Sequence, residues 1–190
     1  MILFVGLGNP GSQYENTRHN IGFKAIDALV DIFGAIDVSK ASFYGALYKT
    51  SSVLFLKPAT FMNLSGKSVQ AVKNFYKIEA EDIVVIHDDI DLPFGAVRFK
   101  KGGGHGGHNG LKSIDSYIGE SYIRIRIGVG KPLYKSQVAD YVLCDFHPDE
   151  KMYVDALVAH IAKACKALVF EDLNQIKSKY SLKSIESLKV

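Results

Sequence analysis

The 190-residue sequence has no tryptophan, two cysteines and five prolines. The two cysteines, Cys144 and Cys165, build neither a disulfide framework nor a cysteine zinc site. No proline-rich or low-complexity stretch and no internal repeat divides the chain, so residues 1–190 are expected to form a single domain. No apolar run approaches the roughly 18 residues of a membrane span. Met1 to Val5 lack the basic segment of a secretory leader, and a cytoplasmic protein without membrane contact is expected. Neither sign of charge dominates: 23 basic and 20 acidic side chains give +3. That is too little to demand a nucleic-acid partner.

The placing of the charge says more than its sum. Residues 79–91 carry six acids and no Lys or Arg. Residues 92–135 carry eight basic side chains against Asp115 and Glu120, a local charge of +6. Such polarity suggests a surface with one basic face, although scattered solvated charge would give the same count.

Ile2 to Val5 and Ile83 to Ile86 are short apolar runs that read as buried strands. Residues 43–49, 53–57, 96–101 and 122–129 read as further strands. Ile21, Ala25, Leu29 and Ile32 stand at helical spacing, with Gly34 as a stop. Helices are also predicted over 65–77 and 109–118. His147-Pro148-Asp149-Glu150 reads as the start of a long helix, and the polar tail from 172 is expected to be helical. Alternating strands and helices predict an α/β sandwich, with a twisted, mostly parallel (mixed) sheet flanked by helices. Ligands in such folds gather at the carboxyl ends of strands, here after Val5, Leu56, Ile86 and Lys101.

Polar clusters follow all four places. Gly6-Leu7-Gly8-Asn9-Pro10-Gly11 matches a dinucleotide-binding pattern, but Pro10 and Ser12 to Asn16 delay the helix that motif needs. What remains is a turn leading to Tyr14 and to His19, just before a helix. In Lys57-Pro58-Ala59-Thr60-Phe61-Met62-Asn63-Leu64-Ser65, Asn63 or Ser65 could cap the next helix, or the loop could form a ligand wall. His87-Asp88-Asp89-Ile90-Asp91 could bind a metal. Alternatively Asp88 could accept a hydrogen bond from an imidazole and fix its tautomer.

The fourth cluster runs from Gly102 to Gly110, six glycines in nine residues, with His105, His108 and Asn109 between them. So many glycines imply unusual backbone angles or a close approach to a ligand. Asn109 could be only a helix cap, and His105 and His108 only loop residues. Arg98 with Lys100, and Arg124 with Arg126, each share one face of a strand and could hold phosphate. A Gly-x-Ser-x-Gly elbow, a P-loop lysine and a His-Glu-x-x-His pair are all missing. A histidine, a carboxylate and several asparagines are left, enough to activate water and hold a carbonyl.

GLGNPGSQYENTRHN, KPATFMNLSG, HDDIDLPFG and GGGHGGHNGLKS resemble, in order, the signature stretches of bacterial peptidyl-tRNA hydrolases. The similarity continues through RIRIGVGKP and ADYVLCDF. The resemblance implies a one-domain α/β hydrolase that cleaves the ester between a peptidyl group and the 3′ end of tRNA, recycling tRNA from prematurely released peptidyl-tRNA. By motif, His19 matches the family's catalytic base and Asp88 its orienting carboxylate. Asn9 matches the position that separates N-blocked from free aminoacyl substrates. Tyr14, Phe61, Asn63 and Asn109 match substrate-contacting positions, with Asn63 and Asn109 as candidate oxyanion donors. Lys100 and Arg126 match positions that grip phosphates of the tRNA acceptor stem. No metal or cofactor is expected, and the chain is expected to be a monomer. The alternatives are a metal-dependent hydrolase, a non-catalytic RNA-binding protein and a nucleotide-cofactor enzyme. Gly128, Gly130 and Pro132 would permit residues 131–147 to hinge as a lid.

Overall fold

The computed structural model describes residues 1–189. The chain runs β1 (Ile2–Gly6), α1 (Ile21–Phe33), β2 (Ile36–Asp37), β3 (Gly45–Lys49), β4 (Val53–Pro58), α2 (Ser65–Tyr76) and β5 (Ile83–Asp89). It continues through β6 (Val97–Lys101), α3 (Asn109–Ile118), β7 (Ile123–Gly128), α4 (Val138–Val142), α5 (Pro148–Leu168) and α6 (Leu173–Tyr180). The strands form one mixed sheet in the order β2-β3-β4-β1-β5-β7-β6. Its central strands β4, β1, β5 and β7 are parallel, and the antiparallel pairs lie toward the edges. No helix among the described residues is long and apolar enough to cross a membrane.

The inner strands are buried on both faces, and their residues alternate between two cores. Phe4 of β1 and Val84 and Ile86 of β5 join the core that α1 and α5 cover. Leu3, Val5, Ile83 and Val85 join the core shared with α2 and α3. Helix ends follow local chemistry. Gly34 takes the left-handed conformation (φ 59°) that ends α1. Pro148 opens α5, where His147 and Glu150 cap each other's backbone. Asp172 caps α6.

Three features depart from the sequence reading. The short β2 and α4 have no pattern of their own. The turn at Ala41–Phe43 delays β3 to Gly45. Most importantly, β5 continues past its apolar run. It pairs His87 with Arg126, Asp88 with Ile127 and Asp89 with Gly128 of β7. The polar residues after Ile86 are therefore held in a strand, not in a loop.

Gly6 of the first motif and Gly22 of α1 serve packing. A Cβ on Gly6 would lie 2.1 Å from the Gly22 carbonyl oxygen. One on Gly22 would lie 2.5 Å from both the Ile86 oxygen and the Leu7 nitrogen. The first turn of α1 thus sits directly on the ends of β1 and β5, with no room for the cofactor that the motif suggested. We expect Gly22→Ala to destabilise the fold by at least about 3 kcal/mol, because backbone on both sides cannot yield. Gly34→Ala, which meets open space, should cost about 1 kcal/mol from its backbone angle alone. Denaturant unfolding of the two variants checks the difference.

Candidate active site

The close packing of α1 brings the turn before it, Arg18–Asn20, to the carboxyl end of β5. There His19 Nδ1 lies 2.8 Å from Asp88 Oδ2 and 3.0 Å from Oδ1. From the other side His108 Nε2 lies 2.9 Å from Asp88 Oδ1. Asp88 is 2% exposed. Burial pushes its carboxyl up, but the charges and hydrogen bonds of His19 and His108 prevail and hold it well below the usual carboxylate range. An ionised carboxylate only accepts, so both facing ring nitrogens carry the hydrogen.

The tautomers follow. His19 keeps its hydrogen on Nδ1, and Nε2, which takes no partner among the described residues, presents a lone pair. His108 donates from Nε2, while its Nδ1 accepts from Gly110 N at 3.1 Å and Leu111 N at 3.4 Å. His108 is thus the cap of α3, and Asn109 is its first residue. The candidate ligand atoms of His19, Asp88 and His108 lie within 4.8 Å of one another, a spacing that could hold a metal ion. The hydrogen bonding does not suit one. A metal on His108 Nε2 would move the ring hydrogen to Nδ1, against two backbone N–H groups.

His87 lies beneath this pair, its ring edge-on to His108 at 5.2 Å. Its Nδ1 donates to the Asp88 carbonyl at 2.7 Å, and its buried Nε2 has no partner among the described residues. Burial first, then the neighbouring His108, pushes its pKa from 6.5 down to about 4.

Asn9 stands behind His19. Its N–H and carbonyl make reciprocal 2.9 Å bonds with the Asn20 side chain. Its Oδ1 accepts from Met62 N at 2.8 Å, and its Nδ2 stays free of protein partners among the described residues. Phe61 and Asn63 flank Met62, both exposed. Neither Asn63 nor Ser65 caps α2. Ser65 instead donates back to the Met62 carbonyl at 2.8 Å.

A cavity of about 510 Å³ opens beside these groups. His19, Asp88, Lys100, Asn109 and Arg126 line it, whereas Asn9, Tyr14, Phe61 and Asn63 do not. Lys135 and residues of α4 complete its wall. The four strand cations do not act alike. Register sets Arg98 beside Arg126 and Lys100 beside Arg124. Arg98 donates to the Leu182 carbonyl at 2.6 Å. Arg124 is buried between the Gly104 carbonyl and Asp115. These two serve the fold, which corrects the expectation of two phosphate-holding pairs. Arg126 pairs with Asp89 at 2.7 Å and is partly exposed. Sequence reasoning missed the use of His108, whose place just before a helix is compatible with capping. It also missed Asn20, whose hydrogen-bond partner lies eleven residues away.

Comparison with known proteins gives this geometry a context. A family model described as peptidyl-tRNA hydrolase matches residues 3–187. The peptidyl-tRNA hydrolase of Sulfurovum sp. (strain NBC37-1) is 69% identical over 188 residues, covering 99% of this chain and all of that one. That of Sulfurimonas denitrificans is 55% identical over 183 residues, covering 96% and 98%. The crystal structure of peptidyl-tRNA hydrolase from Acinetobacter baumannii superposes with a TM-score of 0.92 at 38% identity, covering 97% and 96%.

The neutral His87 gives acid sensitivity a defined sign. Unfolded, it binds a proton near pH 6.5; folded, only near 4. The unfolded state therefore holds more protons across that window, and stability falls as pH drops through it. His87→Phe keeps a ring against His108 and removes the titration. Its stability should fall less steeply between pH 6.5 and 4 than that of the wild type. Urea unfolding as a function of pH checks this, and equal slopes would contradict it.

Proposed function

The chain belongs to the peptidyl-tRNA hydrolase family and is an enzyme that cleaves the ester bond of peptidyl-tRNA; from that premise we propose that His19 activates the attacking water. The observation that carries this reading is the His19–Asp88 pair, which leaves Nε2 as the one ring nitrogen able to take a proton. Water donates that proton to Nε2 as its oxygen attacks the ester carbonyl. Asp88 stabilises the imidazolium that forms. The ring then returns the proton to the departing ribose 3′ oxygen, giving tRNA and a peptide carboxylic acid that loses its remaining proton to solvent. An ester alkoxide leaves more readily than an amide nitrogen, so no covalent intermediate is called for.

We read Asn109 and Asn63 as amide donors to the developing oxyanion, helped by the positive end of α3. The free Nδ2 of Asn9 suits the carbonyl of an N-acyl group. A free ammonium would set donor against donor, a physical basis for preferring N-blocked substrates. Phe61 and Tyr14 supply apolar surface for the peptide or the terminal base. Lys100 and Arg126 face acceptor-stem phosphates, which give affinity and position without reading sequence. All these groups come from one chain, in keeping with a monomer, and the substrate's place in translation suits the cytoplasm.

His19→Ala should lower single-turnover hydrolysis of N-acetyl-aminoacyl-tRNA by about 10²–10⁴-fold with little loss of binding. Exhaustive chelation should leave wild-type turnover unchanged. An active His19→Ala protein would remove the base, and activity lost on chelation would restore a metal. Binding without turnover by the wild type would favour an RNA-binding protein.

Lys100→Ala and Arg126→Ala should raise KM for tRNA substrates and each lower the slope of log K against log salt by about 1. A short ester lacking most of the RNA should be affected much less. Arg126→Ala should be the more damaging, since it leaves the nearly buried Asp89 unpaired. Equal losses on both substrates would count against a phosphate role.

A further inference from the structure

Arg18, the neighbour of His19, has no part in the chemistry above, yet it is 7% exposed and its guanidinium is engaged on several sides. Its NH1 donates to the Tyr141 carbonyl at 3.1 Å and its NH2 to Glu150 Oε1 at 3.2 Å. The guanidinium carbon stands 4.0 Å from the centre of the Tyr141 ring and 5.8 Å from that of Phe146. The Arg18 backbone N–H donates to the Cys144 carbonyl at 3.0 Å, and Thr17 bridges to Asp145. The partners are themselves fixed. Tyr141 donates its hydroxyl to the Val129 carbonyl at 2.7 Å, and Glu150 Oε1 also caps α5 by accepting from His147 N at 3.0 Å.

The turn that carries His19 needs such a hold. It spans three residues and has no side-chain cap. Asn20, which would cap α1, has its amide committed to Asn9. We propose that Arg18 is a positioning residue: it fastens the His19 turn to α4 and to the start of α5, so that the imidazole and the Val138–Val142 wall of the cavity keep one geometry. From Tyr141 onward, part of the segment that Gly128, Gly130 and Pro132 would permit to hinge is then held to the His19 turn. Arginine suits the task because one planar group stacks on a ring while its fork serves two acceptors, which lysine cannot do.

Two imidazole hydrogens lie on Asp88, so the site carries its own control. In ¹⁵N-labelled protein, Arg18→Met should shift or exchange-broaden the His19 Nδ1–H resonance and leave the His108 Nε2–H resonance in place. On N-acetyl-aminoacyl-tRNA, kcat should fall about 10- to 100-fold, as misplacement of a catalytic group does, with KM within about two-fold. Arg18→Lys should recover little of this. Glu150→Gln removes charge from one tine of the fork and should give the same split at smaller size; it decides the matter if Arg18→Met does not fold. An unmoved His19 resonance in the folded variants, equal disturbance of both resonances, or a rise in KM at constant kcat would each overturn the proposal. The kinetic arm rests on His19 being the base. If His19→Ala kept its turnover that reading would fall, while the resonances would still report what Arg18 holds.

Discussion

Asp88 carries a negative charge out of water, where an unpaired carboxylate costs several kcal/mol. It is kept there by two imidazole N–H groups from distant parts of the chain. This arrangement constrains much of the molecule. β5 has to continue three residues beyond its apolar run, which pairing with β7 enforces. The starts of α1 and α3 have to meet over one strand end. His108 donates to Asp88 from Nε2, because Gly110 N and Leu111 N in the first turn of α3 donate to its Nδ1 and make that nitrogen the acceptor. The cap of a helix and the tautomer at the buried carboxylate are therefore one requirement.

The glycines divide by the work they do. Gly6 and Gly22 let α1 lie on the sheet, and Gly110 meets Met62 and Leu7 at distances that leave no space for a Cβ. Each shortens a distance on which the His19–Asp88–His108 contact depends. Gly102, Gly103, Gly106 and Gly107 have positive φ. At Gly106 and Gly107 a Cβ would meet nothing, so conformation and not crowding selects glycine there. One composition signal thus hides two physical causes. The first motif matches a dinucleotide-binding pattern in letters alone, and its Gly6 and Gly8 lie against α1 as packing positions.

Much of the architecture was legible because its signals are local. Doubly buried strands show as apolar runs, and α5 declares its start in Pro148 and Glu150. The His19–Asp88 pairing was legible in part: chemistry offered Asp88 an imidazole as partner, and the family resemblance pointed to His19 as that imidazole. What was not legible depends on tertiary partners. Arg98, Lys100, Arg124 and Arg126 look alike along their strands. Only the fold shows that Arg124 meets Asp115 and Gly104, whereas Arg126 stays partly open beside Asp89. His108 looked like a loop residue, since neither its cap nor its carboxylate is visible in spacing. α4 is only five residues long, too short to show a helical period, and is held partly through Arg18.

Backbone strain at Phe61 shows how these parts support one another. Phe61 has φ 60° and ψ 156°, a region nearly reserved for glycine, at a cost of about 1–3 kcal/mol. It persists because its surroundings over-determine it. Met62 N–H is turned inward to Asn9, the Met62 carbonyl accepts from Ser65, and the Phe61 carbonyl accepts from Leu64 N and Thr60 Oγ1. Asn9 is in turn locked to Asn20, beside His19. The result is an aromatic ring left 54% exposed. The strained turn at Phe61 is thus tied through Asn9 and Asn20 to the segment that carries His19, so the geometry of one constrains the other.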